Sequence, residues 1–321
     1  MKAAVYYENG DPDVFRYEDV PDPVCDPAGI LIRVEAVSIE GGDTINRQNG
    51  ELAGIPHIVG YQAAGEVVEV GAAAGLFKVG DRAVTVAPFG SHAELRAVPA
   101  RSAWKIPEGM DVTSAAVVPI PFGTAHEGLF EFGRMQKGDI VLVQAGASGV
   151  GVAAIPLAAR AGAAMVLATA SSDARLEALR PLGLTHGINY RREDVVAEVA
   201  RLTDGRMANV VIDPVGGTTL QSSILSLAYR GRVTVIGSAG REPMQADLSS
   251  MINGNRSISG IYLGAEIGTD RVYNLIQQLI EEVADGRLKA VVDRTFSLRD
   301  AAEAHRHIES RQAVGRVVLI P

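Results

Sequence analysis

Cysteine is almost absent: the chain of 321 residues has one, Cys25. An internal disulfide and a cysteine-rich zinc site are therefore excluded, and a reducing compartment fits. Basic charge is also in short supply, with 30 Lys and Arg against 38 Asp and Glu, a formal net charge of -8. That balance argues against a nucleic-acid partner, which wants a basic face. It does not argue against a phosphorylated cofactor, which needs only one well-placed arginine. Every apolar run is interrupted by Gly, Pro or charge and is too short to span a bilayer. The N-terminus "MKAAVYYENGDPDVF" lacks the apolar stretch of a signal peptide. There is no internal repeat and no low-complexity linker. The expectation is a cytoplasmic protein with no membrane and no nucleic-acid partner. With 47% hydrophobic and 21% charged residues it can bury a sizeable core, and its length suits two domains.

The first 120 residues read as strands. "GILIRVEAVSI", "AAGEVVEVG", "VGDRAVTVA", "GSHAELRAVPA" and "AWKIP" are short apolar runs punctuated by turns, and helical periodicity is scarce. A barrel-like domain is the simplest reading. The character changes near Thr113, where "VTSAAVVPIPFGTAHEGLFEF" has a helical period broken by Pro119 and Pro121. Strands and helices then alternate. "DIVLVQAG", "MVLATA", "HGINY", "NVVIDPVGG", "RVTVIGSAG" and "SISGIYLG" are strand candidates. Helices of roughly 10 to 15 residues between them imply βαβ units and a parallel sheet. "RVYNLIQQLIEEVADGRL" is an amphipathic helix with Gly286 as its C-terminal stop, and the tail reads as a helix and then a strand able to return to the first domain.

The turn after "IVLVQ" reads Gly146, Ala147, Ser148, Gly149, Val150, Gly151. Against G-x-G-x-x-G, glycines fall in the first and third places and Ser148 takes the middle one, followed by the additional Gly149. The first glycine permits the tight turn, the second lets backbone approach a pyrophosphate, and the third lets helix pack closely on strand. Amides at the helix N-terminus then face the phosphates. Ser148 adds a hydroxyl able to reach phosphate, and Gly149 restores the close approach one residue on. Alone the pattern is weak and fits a structural turn; its place between a strand and a helix at the head of a βαβ series raises it. Pro156, inside the following helix, removes one hydrogen bond and should bend it.

An NAD-preferring fold carries an acidic residue at the end of its second strand to hold the ribose hydroxyls. Here that strand ends "VLATASSDARLEAL", with Thr169, Ala170, Ser171 and Ser172 where the carboxylate would stand. Thr169 and Ser171 offer hydroxyls, and Arg175 follows with its fork of donors. NADPH is the expected cofactor. Asp173 lies past the strand end, as a possible helix cap. Arg175 otherwise reads as a solvated helix charge.

In order and spacing, "VSIEGGDTINR", "VGYQAAGEVVEVG", "VGDRAV", "AGASGVG", "VLATASS", "HGINYRRED", "VVIDPVGG" and "VTVIGSAG" resemble the zinc-independent, zeta-crystallin-like quinone oxidoreductases of the medium-chain dehydrogenase/reductase superfamily. The resemblance covers nearly the whole chain. It implies an α/β protein in two parts: a GroES-like β-barrel catalytic domain from residues 1–121 and 288–321, and a Rossmann domain, a doubly wound parallel sheet, from 122–287 that binds NADPH. It further implies that NADPH and substrate meet in a cleft, and that a homodimer forms through an edge strand matching "SISGIYLG". It places Tyr190 of "INY" beside Arg175 at the 2′-phosphate, where the bland alternative is a strand-end tyrosine. Gly237 and Ser238 of "VTVIGSAG" join the cofactor-binding candidates.

Zinc alcohol dehydrogenases of that superfamily hold a catalytic metal with Cys, a His-Glu pair, and Cys or Asp. By resemblance Glu40 stands at the first of these positions, Tyr61 and Gln62 at the pair, and Pro119 or Ile120 near the third. No thiolate or imidazole remains, and one carboxylate cannot make a tetrahedral site. No metal is expected, and the histidines read as packing or surface residues. Many quinone reductases carry Asn three residues before the Asp and Tyr two after it, where this chain has Glu40 and Ile45. Glu40 is a proton relay, a substrate contact, or only a salt-bridge partner. Asp43 reads as structural, within the turn "GGDT".

Without metal, the usable reaction is hydride transfer from NADPH to a small electron-poor acceptor, a quinone or an α,β-unsaturated carbonyl, whose conjugation spreads the developing charge. A backbone amide or a hydroxyl such as Tyr61 or Thr124 can stabilise the oxyanion, although Tyr61 also reads as a packing residue and His126 as a plain helix residue. The alternatives are an enoyl-type reductase of a thioester or specialised metabolite, and a non-catalytic NADPH-binding sensor or structural relative.

Overall fold

A computed structural model describes residues 1–321. The chain divides into two compact units, Met1–Ile120 with Gly268–Pro321, and Pro121–Ile267. The first opens with β1 (Lys2–Val5), β2 (Arg16–Asp19), β3 (Gly29–Ser38), α1 (Gly41–Asn49), β4 (Gln62–Val70), β5 (Arg82–Val86), β6 (Leu95–Pro99), β7 (Ala103–Lys105) and α2 (Val112–Ala116). α3 (Pro119–His126) carries the chain onward. The second unit holds β8 (Ile140–Val143), α4 (Gly149–Arg160), β9 (Met165–Ala170), α5 (Asp173–Glu177), β10 (His186–Asn189) and α6 (Val195–Leu202). It continues with β11 (Ala208–Asp213), α7 (Thr219–Leu225), β12 (Leu227–Val235), α8 (Ser249–Gly254), β13 (Ser257–Gly260) and α9 (Leu263–Glu266). The chain finishes with α10 (Asp270–Ala284), β14 (Val292–Ser297), α11 (Ala301–Glu309) and β15 (Arg316–Ile320).

The GroES-like first unit is organised by β3, which pairs antiparallel with β4, β6 and β15. Its residues Ile30, Ile32, Val34 and Val37 meet Ala63, Val67, Val98, Val317 and Leu319 in one apolar cluster. The tail strand returns as expected: β15 pairs Leu319 with Val37 and Val318 with Ser38.

In the second unit six parallel strands lie in the order β10-β9-β8-β11-β12-β13. Counted within the unit, this is the doubly wound dinucleotide-binding order, with its switch point between β8 and β11. β8 is buried along its whole length, as a central parallel strand covered on both faces must be. Pro156 lies inside α4 without ending it.

Two readings change. The opening 120 residues contain α1, which no apolar periodicity announces because its buried face is polar: Asp43, Thr44 and Arg47. The second crossing between units falls at 267/268, not at 287/288, because α10 packs with the first unit. Trp104 of β7 stacks on Tyr273 at 5.3 Å and its Nε1 donates to the Tyr273 carbonyl at 2.9 Å. The Tyr273 hydroxyl donates back to the Ala103 carbonyl at 2.9 Å. As expected, α10 stops at Gly286, whose φ is +72°.

Histidines fill part of the first unit's core. His92 and His305, both fully buried, meet through their Nε2 atoms at 3.2 Å, and Phe15 packs edge-on to His305 at 4.7 Å. Burial pushes His92 down to about 3, with Arg96 acting in the same direction, and pushes His305 and His57 down as well. The unfolded chain therefore binds more protons than the folded one from about pH 6.5 down to about 3, and stability falls as pH falls through that window. The Tm should drop on going from pH 7 to pH 5, and drop less in His305→Gln, which can still bond His92 but cannot be charged. Equal losses in the two proteins would contradict this.

Candidate active site

Between β8 and α4 the chain turns at Ala145, whose φ is +49°. At Gly146 a Cβ would lie 2.6 Å from the Ala168 Cβ, and at Gly151 one would lie 2.4 Å from the Gly146 carbonyl oxygen. The first and third glycines thus let turn, strand and helix approach closely. Ala147 is buried in the same turn. Ser148 has a further role within the helix. It is the N-cap of α4, its Oγ accepting from the Gly151 amide at 3.1 Å, because a serine at that position satisfies an otherwise orphaned donor. The amides of Gly149 and Val150, in the first turn, have no intrahelical partner by helix geometry and favour an anion.

The loop is held from behind by a buried polar thread. Thr169 Oγ1 accepts from the Ala145 amide at 3.0 Å and donates to Gln144 Oε1 at 2.9 Å. Gln144 Nε2 donates to Ser223 Oγ at 3.1 Å, and Ser223 donates to Asp213 Oδ2 at 2.8 Å. Asp213 Oδ1 accepts from the Val215 and Gly216 amides, each at 2.9 Å. Thr169, expected beside the cofactor, is buried with its hydroxyl turned inward to the loop.

Past the end of β9, Arg175 Nη1 donates to Ser171 Oγ at 3.0 Å. The cap of α5 is Ser172, not Asp173. Asp173 instead accepts from Asn189 Nδ2 at 2.9 Å and Arg192 Nη2 at 2.7 Å, so its charge is answered locally. The Tyr190 amide donates to the Ala170 carbonyl at 3.2 Å and its side chain is exposed. Ser171, Arg175 and Tyr190 are thus gathered at the ends of two paired strands. Gly237 and Ser238 follow β12, where the Ala239 amide donates to the Pro214 carbonyl at 3.1 Å and the Gly240 amide to Val215 at 2.9 Å. All these loops leave the carboxyl ends of parallel strands, where dinucleotides bind. The residues fit a dinucleotide phosphate: close backbone, an open helix N-terminus, and an arginine beside a hydroxyl.

The first unit holds a second polar cluster. Glu40 precedes α1, and its Oε1 is ion-paired with Arg316 Nη2 at 2.5 Å and accepts from Gln62 Nε2 at 2.6 Å and Ser38 Oγ at 2.9 Å. Arg316 also donates to Ser38 Oγ at 3.2 Å and to the Ile39 carbonyl. Glu40 is thus a salt-bridge partner. Asp43 Oδ2 accepts from the Glu40 amide at 2.7 Å, closing the turn as expected, while its Oδ1 is buried without a hydrogen-bond partner. Tyr61 lies against α1, where a Cβ on Gly42 would come within 2.3 Å of its ring. Its carbonyl accepts from Arg96 Nη2 at 2.9 Å. Arg96, fully buried on β6, also donates to the carbonyls of Gly60, Ala87 and Phe89. Thr124 is buried on α3, and His126, at its end, packs its ring on Phe130.

Residues 149–284 match the family described as zinc-binding dehydrogenase, and 26–108 the family described as alcohol dehydrogenase GroES-like domain. The chain is 32% identical to 2-haloacrylate reductase of Burkholderia sp, covering 100% of this chain and 99% of that one. It is 30% identical to quinone oxidoreductase of Pseudomonas aeruginosa over 97% of each. The Escherichia coli quinone oxidoreductase complexed with NADPH superposes with a TM-score of 0.94 at 26% identity over 100% of both chains. The side chains at the positions aligned with zinc ligands do not fit that metal. Glu40 Oε1 is occupied by Arg316, Gln62 and Ser38, Gln62 is an amide, and no group of three or more His, Cys, Asp or Glu is placed to hold a metal ion.

Burial pushes the Asp43 carboxyl up to about 8; Glu40 acts in the same direction, and the Glu40 amide, Arg316 and Arg96 oppose it. The folded state holds this proton more tightly than the unfolded chain. Its contribution to stability is complete below about pH 3.8 and is lost as pH rises through about 8. Asp43→Asn, which keeps an acceptor for the Glu40 amide, should therefore raise Tm relative to wild type more at pH 9 than at pH 6. A difference independent of pH would show that Asp43 does not titrate in this range.

Proposed function

Because the chain belongs to the quinone oxidoreductase-like branch of the medium-chain dehydrogenase/reductase superfamily, we propose that it is an NADPH-dependent reductase of quinones or α,β-unsaturated carbonyl compounds. The observation that carries this reading is the end of β9. Ser171 and Arg175 meet there, no carboxylate occupies the strand end, and Asp173 is neutralised by Arg192. That is a site for a 2′-phosphate rather than for bare ribose hydroxyls. Gly146, Ala147, Gly149, Val150 and Gly151 form the pyrophosphate turn, with Ser148 and Thr169 shaping it and Tyr190, Gly237 and Ser238 on the same strand ends. Bound there, NADPH supplies a hydride to an electron-poor carbon.

The acceptor side rests on the absence of a usable ligand set around Glu40. A conjugated acceptor suits such a site, since conjugation spreads the charge that a Lewis acid would otherwise hold. Tyr61 and Thr124 are the candidate hydroxyls toward that charge. Glu40, committed to Arg316, is not assigned the proton relay.

Purified protein should oxidise NADPH with 9,10-phenanthrenequinone, a simple enone or a 2-haloacrylate. Tight NADPH binding with no turnover across this panel would favour a non-catalytic binding protein. Turnover confined to an enoyl thioester would favour an enoyl-type reductase. Arg175→Ala should weaken NADPH at least tenfold more than NADH, since a charge-assisted contact is worth about 1.5–3 kcal/mol; equal weakening would remove Arg175 from the 2′-phosphate. We also propose a homodimer through β13, one of the sheet's two edge strands, where Ile258 and the nearby Tyr229 of β12 and Tyr262 are exposed. Light scattering should give twice the chain mass, and a monomer at micromolar concentration would contradict it.

A further inference from the structure

The cluster around Glu40 contains a bond that links it to a distant helix. Gln62 Nε2 donates to Glu40 at 2.6 Å, and Gln62 Oε1 accepts from the backbone amide of Ile120 at 3.1 Å. Ile120 is the second residue of α3, which starts at Pro119. The first amides of an α-helix have no partner within the helix, and Pro119 has no N–H to offer. Val118 precedes the helix and has no side-chain oxygen with which to cap it. The capping acceptor comes instead from Gln62, at the start of β4, far away in sequence.

An amide is the side chain that suits this place. It needs a donor on one side, toward a carboxylate, and an acceptor on the other, toward an N–H. Glu40 fixes which end points where, because its Oε1 faces Arg316, Ser38 and Gln62 and can only accept. Gln62 is fully buried, so both ends of its amide must be satisfied. The chain of contacts runs from Arg316 on β15, through Glu40 ahead of α1 and Gln62 on β4, to the first turn of α3. The last three of these are also the segments that resemblance aligns with the ligands of a catalytic metal. Here a hydrogen-bonded amide joins them.

We propose that Gln62 is a positioning residue for the acceptor: a tertiary N-cap that sets the first turn of α3 relative to the turn carrying Glu40 and the adjacent Tyr61. The kinetic part rests on the reductase reading given above; the cap does not.

Two substitutions separate these parts. Gln62→Met keeps the size and removes both bonds. Hydrogen–deuterium exchange in the peptide covering residues 117–126 should rise, and kcat/KM for the acceptor should fall about tenfold, a loss of about 1.4 kcal/mol of transition-state stabilisation. Affinity for NADPH should stay within twofold. Gln62→Glu keeps an acceptor for Ile120 but sets a carboxylate against Glu40. One of the two carboxyl groups then holds a proton more readily, so acceptor kcat/KM in this variant should recover as pH is lowered from 8 to 6 by more than it changes in wild type and the Met variant, in which Asp43 is the neighbouring group that titrates near 8. Unchanged exchange in Gln62→Met would overturn the cap. Raised exchange with unchanged acceptor kinetics would overturn the positioning role. If wild type reduces no acceptor, the functional reading fails and the positioning role with it, while the exchange measurement still decides the cap.

Discussion

A carboxylate taken out of water must be met by charge and by hydrogen bonds, and Glu40 is met by Arg316 at 2.5 Å with Ser38 and Gln62 beside it. Removing one partner from such a pair costs about 3–5 kcal/mol, because the other charge is left buried and unanswered. Much of the first unit follows from this. Arg316 lies five residues from the end of the chain, so the unit is complete only when the tail has returned and β15 has paired with β3. Arg316 also holds the Ile39 carbonyl, which keeps the exit of β3 in place. Asp43 closes the turn from the other side, and Arg96 gathers the carbonyls of the loops that flank Tyr61. The acceptor side of the proposed site is thus built on polar side chains fixed by one another.

The second unit uses the same rule with hydrogen bonds in place of a salt bridge. Gln144, Thr169, Ser223 and Asp213 are all buried, and each has its partner. They tie the ends of β8, β9 and β11 to one another behind the phosphate turn. The turn keeps its own side chains small, so that backbone rather than side chain is presented at the open helix N-terminus. In the proposed site, the arginine and serine that would meet the 2′-phosphate stand just beyond β9, on loops positioned by rigid strands.

The second unit was the more legible from sequence. Apolar runs such as "DIVLV" and "MVLATA" become β8 and β9, and the glycine pattern marks the turn between β8 and α4. The pattern also named Ser148, but not its work: a serine three residues before an amide that needs a cap is a local signal that a phosphate-centred reading passes over. Asp173 was misjudged as a cap because its partners, Asn189 and Arg192, come from the next strand and the turn after it. In the first unit the strands were legible and α1 was not, since its buried face is Asp43, Thr44 and Arg47. Arg96 left a trace. Period-two alternation along β6 puts it on the same face as Val98, where an arginine has to find carbonyls. The meeting of Glu40, Gln62 and Ile120 is legible only through the resemblance, which aligns all three with the ligands of one metal; the arrival of Arg316 left no trace, because no spacing encodes it.

The central claim is that this chain passes a hydride from NADPH to a conjugated acceptor without help from a metal. The most direct test follows deuterium from NADPH carrying deuterium at both C4 positions of the nicotinamide into the product of a cyclic enone, with the protein dialysed against a strong chelator. The account predicts deuterium at the β-carbon of the saturated ketone and an initial rate unchanged by chelation. A product without label, or a rate abolished by the chelator and restored by zinc, would contradict it.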